Sequence, residues 1–437
     1  MSGVELDPYG DRYAARTRGM SASAIRALFA VASRPEVVSL AGGMPYIDAL
    51  PLEAVGEMVA ALVRERGPVA LQYGSGQGFP QLREQICEVM ALEGITASPD
   101  DVVVTVGSQQ ALDLVTRIFC DPHDVILAEA PSYVGALSTF ASYQADIVHV
   151  PMDEAGLVPS ALDETCARLA REGRRVKFLY TVPNFHNPAG VSLSVPRRDE
   201  VLEIAARHGV LVLEDNPYGL LGFDGEPVTA LRARTSDGVI YLGSFSKTFA
   251  PGLRVGWVLA PHSVREKLVL AAEASVLCPP HFTQMVVADY LRTQPWQEQV
   301  KVYQEVYRER RDTILDALSQ HFPPGATWTR PAGGFYTWVT LPEGLDATAM
   351  LPRAVQGRVA YVPGSAFYAD GSGGEKMRLS YCYPPPDRIR EGVRRLAAVI
   401  EEELEMRSTF APPGGGGVDP ESLGSPEAVS SPGPDLA

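Results

Sequence analysis

Between residues 100 and 260, short apolar runs alternate with stretches whose apolar residues recur at helical spacing. "DVVVTV" precedes "SQQALDLVTRIFC", "DVILAEA" precedes "YVGALSTFASY", and "ADIVHVPM" precedes "PSALDETCARLAREG". "VKFLYTV", the helical "PRRDEVLEIAARHG", "VLVLED", "VIYLGSF" and "RVGWVLA" follow in turn. Strands that are apolar on both faces, joined by amphipathic helices, predict an α/β unit whose mostly parallel sheet is buried on both sides. From about residue 295 the pattern changes. "QPWQEQVKVYQEVYRERRDTILDALSQHF" predicts one long helix, with Val302, Val306, Ile314, Leu315 and Leu318 at helical spacing. "GGFYTWVTL", "RVAYVPG" and "KMRLSYCY" then read as strands of a smaller α+β domain.

The expected organisation is an N-terminal segment (1–50) packing with the small domain, a large domain (51–295), a small domain (296–408) and a tail (409–437). The tail is Pro, Gly and Ser with hardly any large apolar side chain. It cannot bury enough surface to offset its ordering entropy and is expected to be disordered.

Composition narrows the function. The 437 residues carry a formal charge of −15, which repels nucleic acid and anionic membrane. Cys87, Cys120, Cys166, Cys278 and Cys382 are scattered and never spaced CxxC, which argues against a disulfide framework or a zinc site. The first residues lack an apolar core of the secretory type, and no run approaches the roughly 18 apolar residues of a membrane span, so a cytoplasmic protein is expected.

In a sheet of this kind, ligands sit outside the carboxyl ends of the strands. Five strand ends carry polar residues. Gly107, Ser108 and Gln109 open a helix directly after a strand, where free N–H groups suit a phosphate, although Ser108 could equally be an ordinary N-cap. Tyr133 in "EAPSY" could stack on a flat ligand or fill core. "VPNFHNPAG" offers Asn184, His186 and Asn187, of which Asn187 could donate to a phenolate-like oxygen. Glu214 and Asp215 end an otherwise apolar strand, with Tyr218 following, and a buried carboxylate there needs a cation or several donors. "GSFSKTFAPGLRVGW" supplies Ser244, Ser246, Lys247 and Arg254 between two interior strands. A buried lysine is costly unless it is neutralised or does chemistry. Together these groups fit pyridoxal 5′-phosphate: Lys247 for the aldehyde, Asp215 for the ring nitrogen, and Ser108, Ser244, Ser246 and Arg254 for the phosphate.

From about 20 to 405 the chain resembles the class I/II aminotransferases of fold type I. "SFSKTFAPGLRVGW" resembles their lysine motif, with "GSQQAL", "NPAG" and "EDNPY" in the right order before it. The resemblance implies a large domain with a mostly parallel sheet, a smaller α+β domain, and ping-pong transfer of an amino group from an L-amino acid to a 2-oxo acid, 2-oxoglutarate by family default. It implies Lys247 as the Schiff-base lysine, Asp215 as the pyridinium partner, Asn187 and Tyr218 at the ring oxygen, and Tyr133 stacked on the ring. Tyr73 in "LQYGSGQGFPQLRE" matches a tyrosine that reaches the phosphate of a neighbouring subunit, implying a homodimer. Arg378 in "KMRLSYCY" matches the arginine that holds the substrate α-carboxylate, and Gly43 in "SLAGGMP" lines the pocket. The similarity is greatest to the 2-aminoadipate, kynurenine-type and broad-range branch. That branch has a mobile N-terminal helix, for which "SASAIRALF" is the candidate, and its Arg26 could meet an acidic side chain, although a plain surface helix arginine is the more ordinary reading.

Three other readings compete. A nicotinamide dehydrogenase is disfavoured, because "GSGQG" at 74–78 follows no strand and no G-x-G-x-x-G follows the first convincing one. A DNA-binding regulator is disfavoured because about 40 residues before "SLAGGMP" are too few for a winged helix and linker. A C–S lyase, decarboxylase or cyclase on the same cofactor would share every residue named, and stays open as the alternative.

Overall fold

The computed structural model describes residue 7 and residues 9–19, 34–225 and 227–410. Arg26, the "SASAIRALF" segment and the tail from 411 lie outside the described residues. An eight-stranded sheet forms the centre. Its strands run in the order Val102–Thr105, Gly256–Leu259, Val239–Ser244, Leu211–Asp215, Val176–Thr181, Val125–Ala130, Asp146–Asp153 and Gly156–Leu157. The five from Val239–Ser244 to Asp146–Asp153 are parallel, whereas Gly256–Leu259 runs antiparallel to both neighbours.

Alternation explains why these runs are apolar throughout. Leu213 and Ile240 face one layer, which contains the helices Gly107–Phe119, Val134–Ser142 and His262–Val276. Their chain neighbours Val212 and Val239 face the other, with Pro159–Arg171 and Val195–His208. Each fully buried Val or Leu contributes about 1.5–3 kcal/mol, so neither face can be given up. Local signals set the helix ends: proline stands in the first turn of Pro159–Arg171 and of Val195–His208, and Gly209 closes the latter at φ 65°.

A second sheet is antiparallel, in the order Thr327–Trp328, Tyr336–Thr340, Lys376–Ser380 and Val362–Pro363. The long helices Trp296–His321 and Pro386–Phe410 pack on one another beside it. The early strand Val38–Ser39 pairs with Val359–Ala360, and Ser380 N donates to Leu40 O at 2.7 Å. That return brings residues 40–44 against the carboxyl ends of the central strands. None of the helices among the described residues is long and apolar enough to cross a membrane.

Candidate active site

Lys247 follows the strand Val239–Ser244 and opens onto a cavity at the carboxyl edge of the sheet. Its Nζ donates to Gly43 O at 2.9 Å. Gly43 is required by close approach: a Cβ there would lie 1.9 Å from the Tyr336 hydroxyl. Burial pulls the Lys247 amine down to about 8, helped by the charges of Arg378 and Arg254. A free amine is therefore accessible near neutrality.

Asp215 stands opposite, at the end of Leu211–Asp215, and is buried. Its Oδ2 accepts from the Tyr180 hydroxyl at 2.8 Å, while its Oδ1 is buried without a partner among the described residues. Burial raises its carboxyl to about 7, against the opposing effect of the Tyr180 hydrogen bond. The preceding residue shows what strand alternation does. Glu214 points to the other face, where it accepts from Leu231 N (2.9 Å) and Arg232 N (2.8 Å) and caps the short helix Leu231–Arg234. Of these two acids it is Asp215 whose oxygen stays unfilled by the described residues.

At one end of the cavity lie Ser108, Ser244 and Ser246. Ser244 Oγ donates to Ser246 Oγ at 2.9 Å and accepts from Ser246 N at 3.1 Å. Arg254, held in the left-handed region at φ 54°, brings Nη1 to 3.4 Å from Ser246 Oγ and Nη2 to 3.3 Å from Val106 O. Two glycines allow this crowding. A Cβ on Gly107 would be 2.3 Å from Arg254 Nη2, and one on Gly256 would be 2.7 Å from Ser108 N. The helix Gly107–Phe119 thus starts against the antiparallel strand with its free N–H groups beside two hydroxyls and a guanidinium, an arrangement suited to a dianion.

The remaining walls come from five segments, those of Tyr133, Asn187, Tyr218, Tyr336 and Arg378. Tyr133 precedes the helix Val134–Ser142, and burial pushes its hydroxyl to about 12. Tyr218 packs edge-on to Phe335 and Tyr336. Arg378, on Lys376–Ser380, is buried with its guanidinium carbon 4.2 Å from the Tyr336 ring centre. Its Nη1 donates to Asn187 Oδ1 at 2.8 Å and its Nη2 to Ala41 O at 2.7 Å, and its Nε is buried without a partner among the described residues. Holding Asn187 by its oxygen leaves the amide N–H₂ as the free end.

The cavity therefore gathers Gly43, Ser108, Tyr133, Asn187, Asp215, Tyr218, Ser244, Ser246, Lys247 and Arg378 from across the chain. Arg254 joins them through Ser246. Gln109 does not line the cavity itself: its Nε2 donates to Thr139 Oγ1 (2.7 Å) and Gly135 O (3.1 Å), and its Oε1 accepts from the Tyr133 hydroxyl at 3.3 Å, so its side chain braces the next helix and the Tyr133 ring. Ser108 is not an N-cap either, since the helix begins at Gly107. His186 is turned toward Glu129, with Nε2 3.1 Å from Oε2. Tyr73 is 77 % exposed and lines nothing in its own chain's cavity. Sequence reasoning passed over Tyr180, Tyr336 and Met44, which also line the cavity. Tyr336 was within reach, because the quoted "GGFYTWV" contains it. Tyr180 carried no signal, being an interior residue of an apolar strand.

Whether these groups fit a cofactor is tested by what they lack. A buried acceptor without a donor, an amine of lowered basicity and a cradle for a doubly charged anion surround one space, and pyridoxal 5′-phosphate answers all three needs. The class is a pyridoxal-phosphate enzyme on a sheet buried by helices on both faces. Comparison with known proteins narrows it further. Residues 35–396 match "Aminotransferase class I and II", and the chain belongs to that family. It is 42 % identical to "Aromatic-amino-acid aminotransferase 1" of Thermococcus litoralis over 91 % of this chain and 96 % of that one. It is 38 % identical to "2-aminoadipate transaminase" of Thermus thermophilus, over 89 % and 96 % respectively. Among solved structures, the alpha-aminoadipate aminotransferase of Thermus thermophilus, complexed with N-(5′-phosphopyridoxyl)-L-leucine, superposes with a TM-score of 0.85 at 36 % identity, covering 91 % of this chain and 99 % of that one. The protein is a pyridoxal-phosphate-dependent aminotransferase of fold type I, acting on amino acids and 2-oxo acids.

The raised carboxyl of Asp215 has a measurable consequence. Folding raises its pKa, so the cofactor-free fold binds its proton more tightly than the unfolded chain and loses stability as pH climbs from about 4 to 7. Asp215→Asn abolishes that loss. Without cofactor, the variant is expected to be more stable than wild type at pH 8, by up to about 4 kcal/mol, with the gap narrowing toward pH 5. Thermal unfolding at the two pH values checks this, and an equal gap at both would mean Asp215 is not desolvated.

Proposed function

We propose that Lys247 is the residue to which the cofactor is covalently attached and that Asp215 keeps its ring nitrogen protonated. The observation that carries this reading is the pair of buried, unpartnered atoms lining one cavity, Asp215 Oδ1 and Arg378 Nε, with the Lys247 amine in the same space. When bound, pyridoxal phosphate supplies an aldehyde and a protonated ring that draws away the electron pair left when the substrate loses its α-proton. Everything else falls to the chain. Ser108, Ser244, Ser246 and Arg254 hold the phosphate. Tyr133 covers one ring face, and Asn187 Nδ2 and the Tyr218 hydroxyl meet the ring oxygen. Arg378 grips the substrate α-carboxylate in the fixed geometry of its guanidinium. Lys247, with its amine at about 8, takes the α-proton and returns it, which suits a base working near neutrality.

The amino donor in this reading is an L-amino acid and the acceptor 2-oxoglutarate. Tyr133, Tyr218, Tyr336 and Met44 line the space and support a broad donor range that includes aromatic and long side chains, as the names of the relatives suggest. Arg26 is the proposed contact for an acidic side chain. The two-domain division at about residue 295 and a cytoplasmic location belong to the same proposal. Five free cysteines are compatible with a reducing compartment.

The functional unit is proposed to be a homodimer. Leu52, Val69, Leu71 and Tyr73 are all more than half exposed on one stretch of chain, which is the kind of apolar surface a partner covers. Tyr73 would then complete the phosphate site of the other subunit.

Three outcomes test this reading. Borohydride reduction of the cofactor-loaded protein is expected to leave cofactor mass on the peptide bearing Lys247, and Lys247→Ala to lose both that mass and turnover. Label on another lysine would refute the assignment. In a panel of amino donors with 2-oxoglutarate, Arg378→Ala raises KM for every donor whatever its side chain, by roughly tenfold or more for a lost charge-assisted pair, and an unchanged KM removes its role. Co-expressed Tyr73→Ala and Lys247→Ala chains recover activity above the sum of the separate variants. Failure to do so would place Tyr73 outside the partner's site.

A further inference from the structure

Behind the turn that carries Asp215 and Tyr218, a line of buried polar side chains leads away from the cavity and does none of the chemistry assigned above. Arg198, in the helix Val195–His208, donates through Nη2 to Asn184 Oδ1 at 2.6 Å. Asn184 Nδ2 donates to Asn216 Oδ1 at 3.0 Å, and Asn216 Nδ2 donates to Glu93 Oε1 at 2.6 Å. The Tyr241 hydroxyl donates to Glu93 Oε2 at 2.8 Å. All five residues are buried, Arg198 completely.

The ends of this line determine its middle. A guanidinium only donates, so Asn184 must present its oxygen to Arg198 and its N–H₂ onward. Asn216 then receives at its oxygen and must donate at its nitrogen, which requires an acceptor beyond it. Glu93 is that acceptor. It reaches in from the turn after the helix Pro80–Ala91, and it fits only because residue 219 is glycine: a Cβ there would lie 1.8 Å from Glu93 Oε1. Reversing either amide would set N–H against N–H among buried side chains, at the cost of unsatisfied groups. Asn216 adjoins Asp215, and Asn184 lies on the same short loop as Asn187. The line thus ties together the two segments that would hold the cofactor's ring nitrogen and ring oxygen.

We propose that Glu93 is a positioning residue, the terminal acceptor that fixes the turns bearing Asp215 and Asn187 relative to one another and so sets how firmly the cofactor ring is held. The inference rests on the roles given to Asp215 and Asn187 above. Burial raises the Glu93 carboxyl to about 7 against the Tyr241 and Asn216 hydrogen bonds, with Glu214 and Arg198 the charged groups acting on it. Protonation leaves the line intact, because Oε1 still accepts from Asn216 while the acid proton can point to Tyr241. Glutamine keeps the acceptor for Asn216 and can donate its N–H₂ to the Tyr241 oxygen in place of accepting from it, whereas methionine, of similar volume, offers Asn216 no comparable acceptor.

The test compares Glu93→Met with Glu93→Gln in the cofactor-loaded protein. It reads the dissociation constant of pyridoxal phosphate, the pH midpoint of the bound cofactor's visible absorbance, and thermal unfolding. Glu93→Met is expected to weaken cofactor binding about tenfold and move the midpoint, while Glu93→Gln stays within about threefold and leaves it in place. A Glu93→Met protein that unfolds earlier yet keeps both cofactor readings would overturn the proposal, as would a Glu93→Gln as impaired as Glu93→Met. If Glu93→Met does not fold, Asn216→Ala cuts the same line from its other side, and unchanged cofactor affinity there overturns the proposal equally. Wild-type protein that binds the cofactor through a lysine other than Lys247 would refute the site reading instead.

Discussion

A carboxylate with one filled and one empty oxygen, shut away from water, governs the organisation of this protein. Asp215 is held by Tyr180 on one side and by none of the described residues on the other, and burial penalises its charge. A group of that kind is tolerated where a bound cation completes it. The protonated ring of pyridoxal phosphate is such a cation. In the proposed site its binding free energy would go partly to restoring a charge that the cofactor-free fold suppresses, which would link cofactor affinity to the protonation of a single acid.

The sheet makes this arrangement available by bringing strand ends together. Strands carrying Asp215 and Ser244 lie side by side in parallel, and the antiparallel strand Gly256–Leu259 seats the start of the helix Gly107–Phe119 against the serines. Glycines at 43, 107 and 256 are where elements come closer than any Cβ permits: Gly43 lines the cavity, Gly107 lies against Arg254 and Gly256 against Ser108. The small antiparallel sheet closes the far side with Arg378 and Tyr336. The early segment at residues 38–44 crosses over to it, so the Gly43 carbonyl that meets Lys247 is fixed from the opposite half of the structure. Removing water from this space strengthens every electrostatic contact within it and lowers the basicity of the lysine.

Much of this was legible in the sequence, for physical reasons. A lysine between two interior strands, or an acid ending an apolar one, violates the ordinary rules of burial, and such violations are visible in one dimension. Strand alternation is visible too, although it took the structure to show that Glu214 caps a helix while Asp215 faces the cavity. Residues that obey the rules gave no warning. Tyr180 reads as strand filler and Tyr336 as an aromatic in a buried strand. Glu93 belongs to a turn more than a hundred residues from the groups it contacts, and only the folded chain brings them together. Gln109 went the other way: its position at a helix start suited a phosphate, but its side chain was long enough to find a nearer partner in Thr139.

The account depends on what fills the empty oxygen of Asp215, and a crystal structure of the protein grown with pyridoxal phosphate examines that contact directly. The ring nitrogen should lie within hydrogen-bonding distance of Asp215 Oδ1, with continuous density from Lys247 Nζ to the cofactor and the phosphate among Ser108, Ser246 and Arg254. A cofactor whose ring nitrogen faces any other group, leaving that oxygen still without a donor, would contradict it.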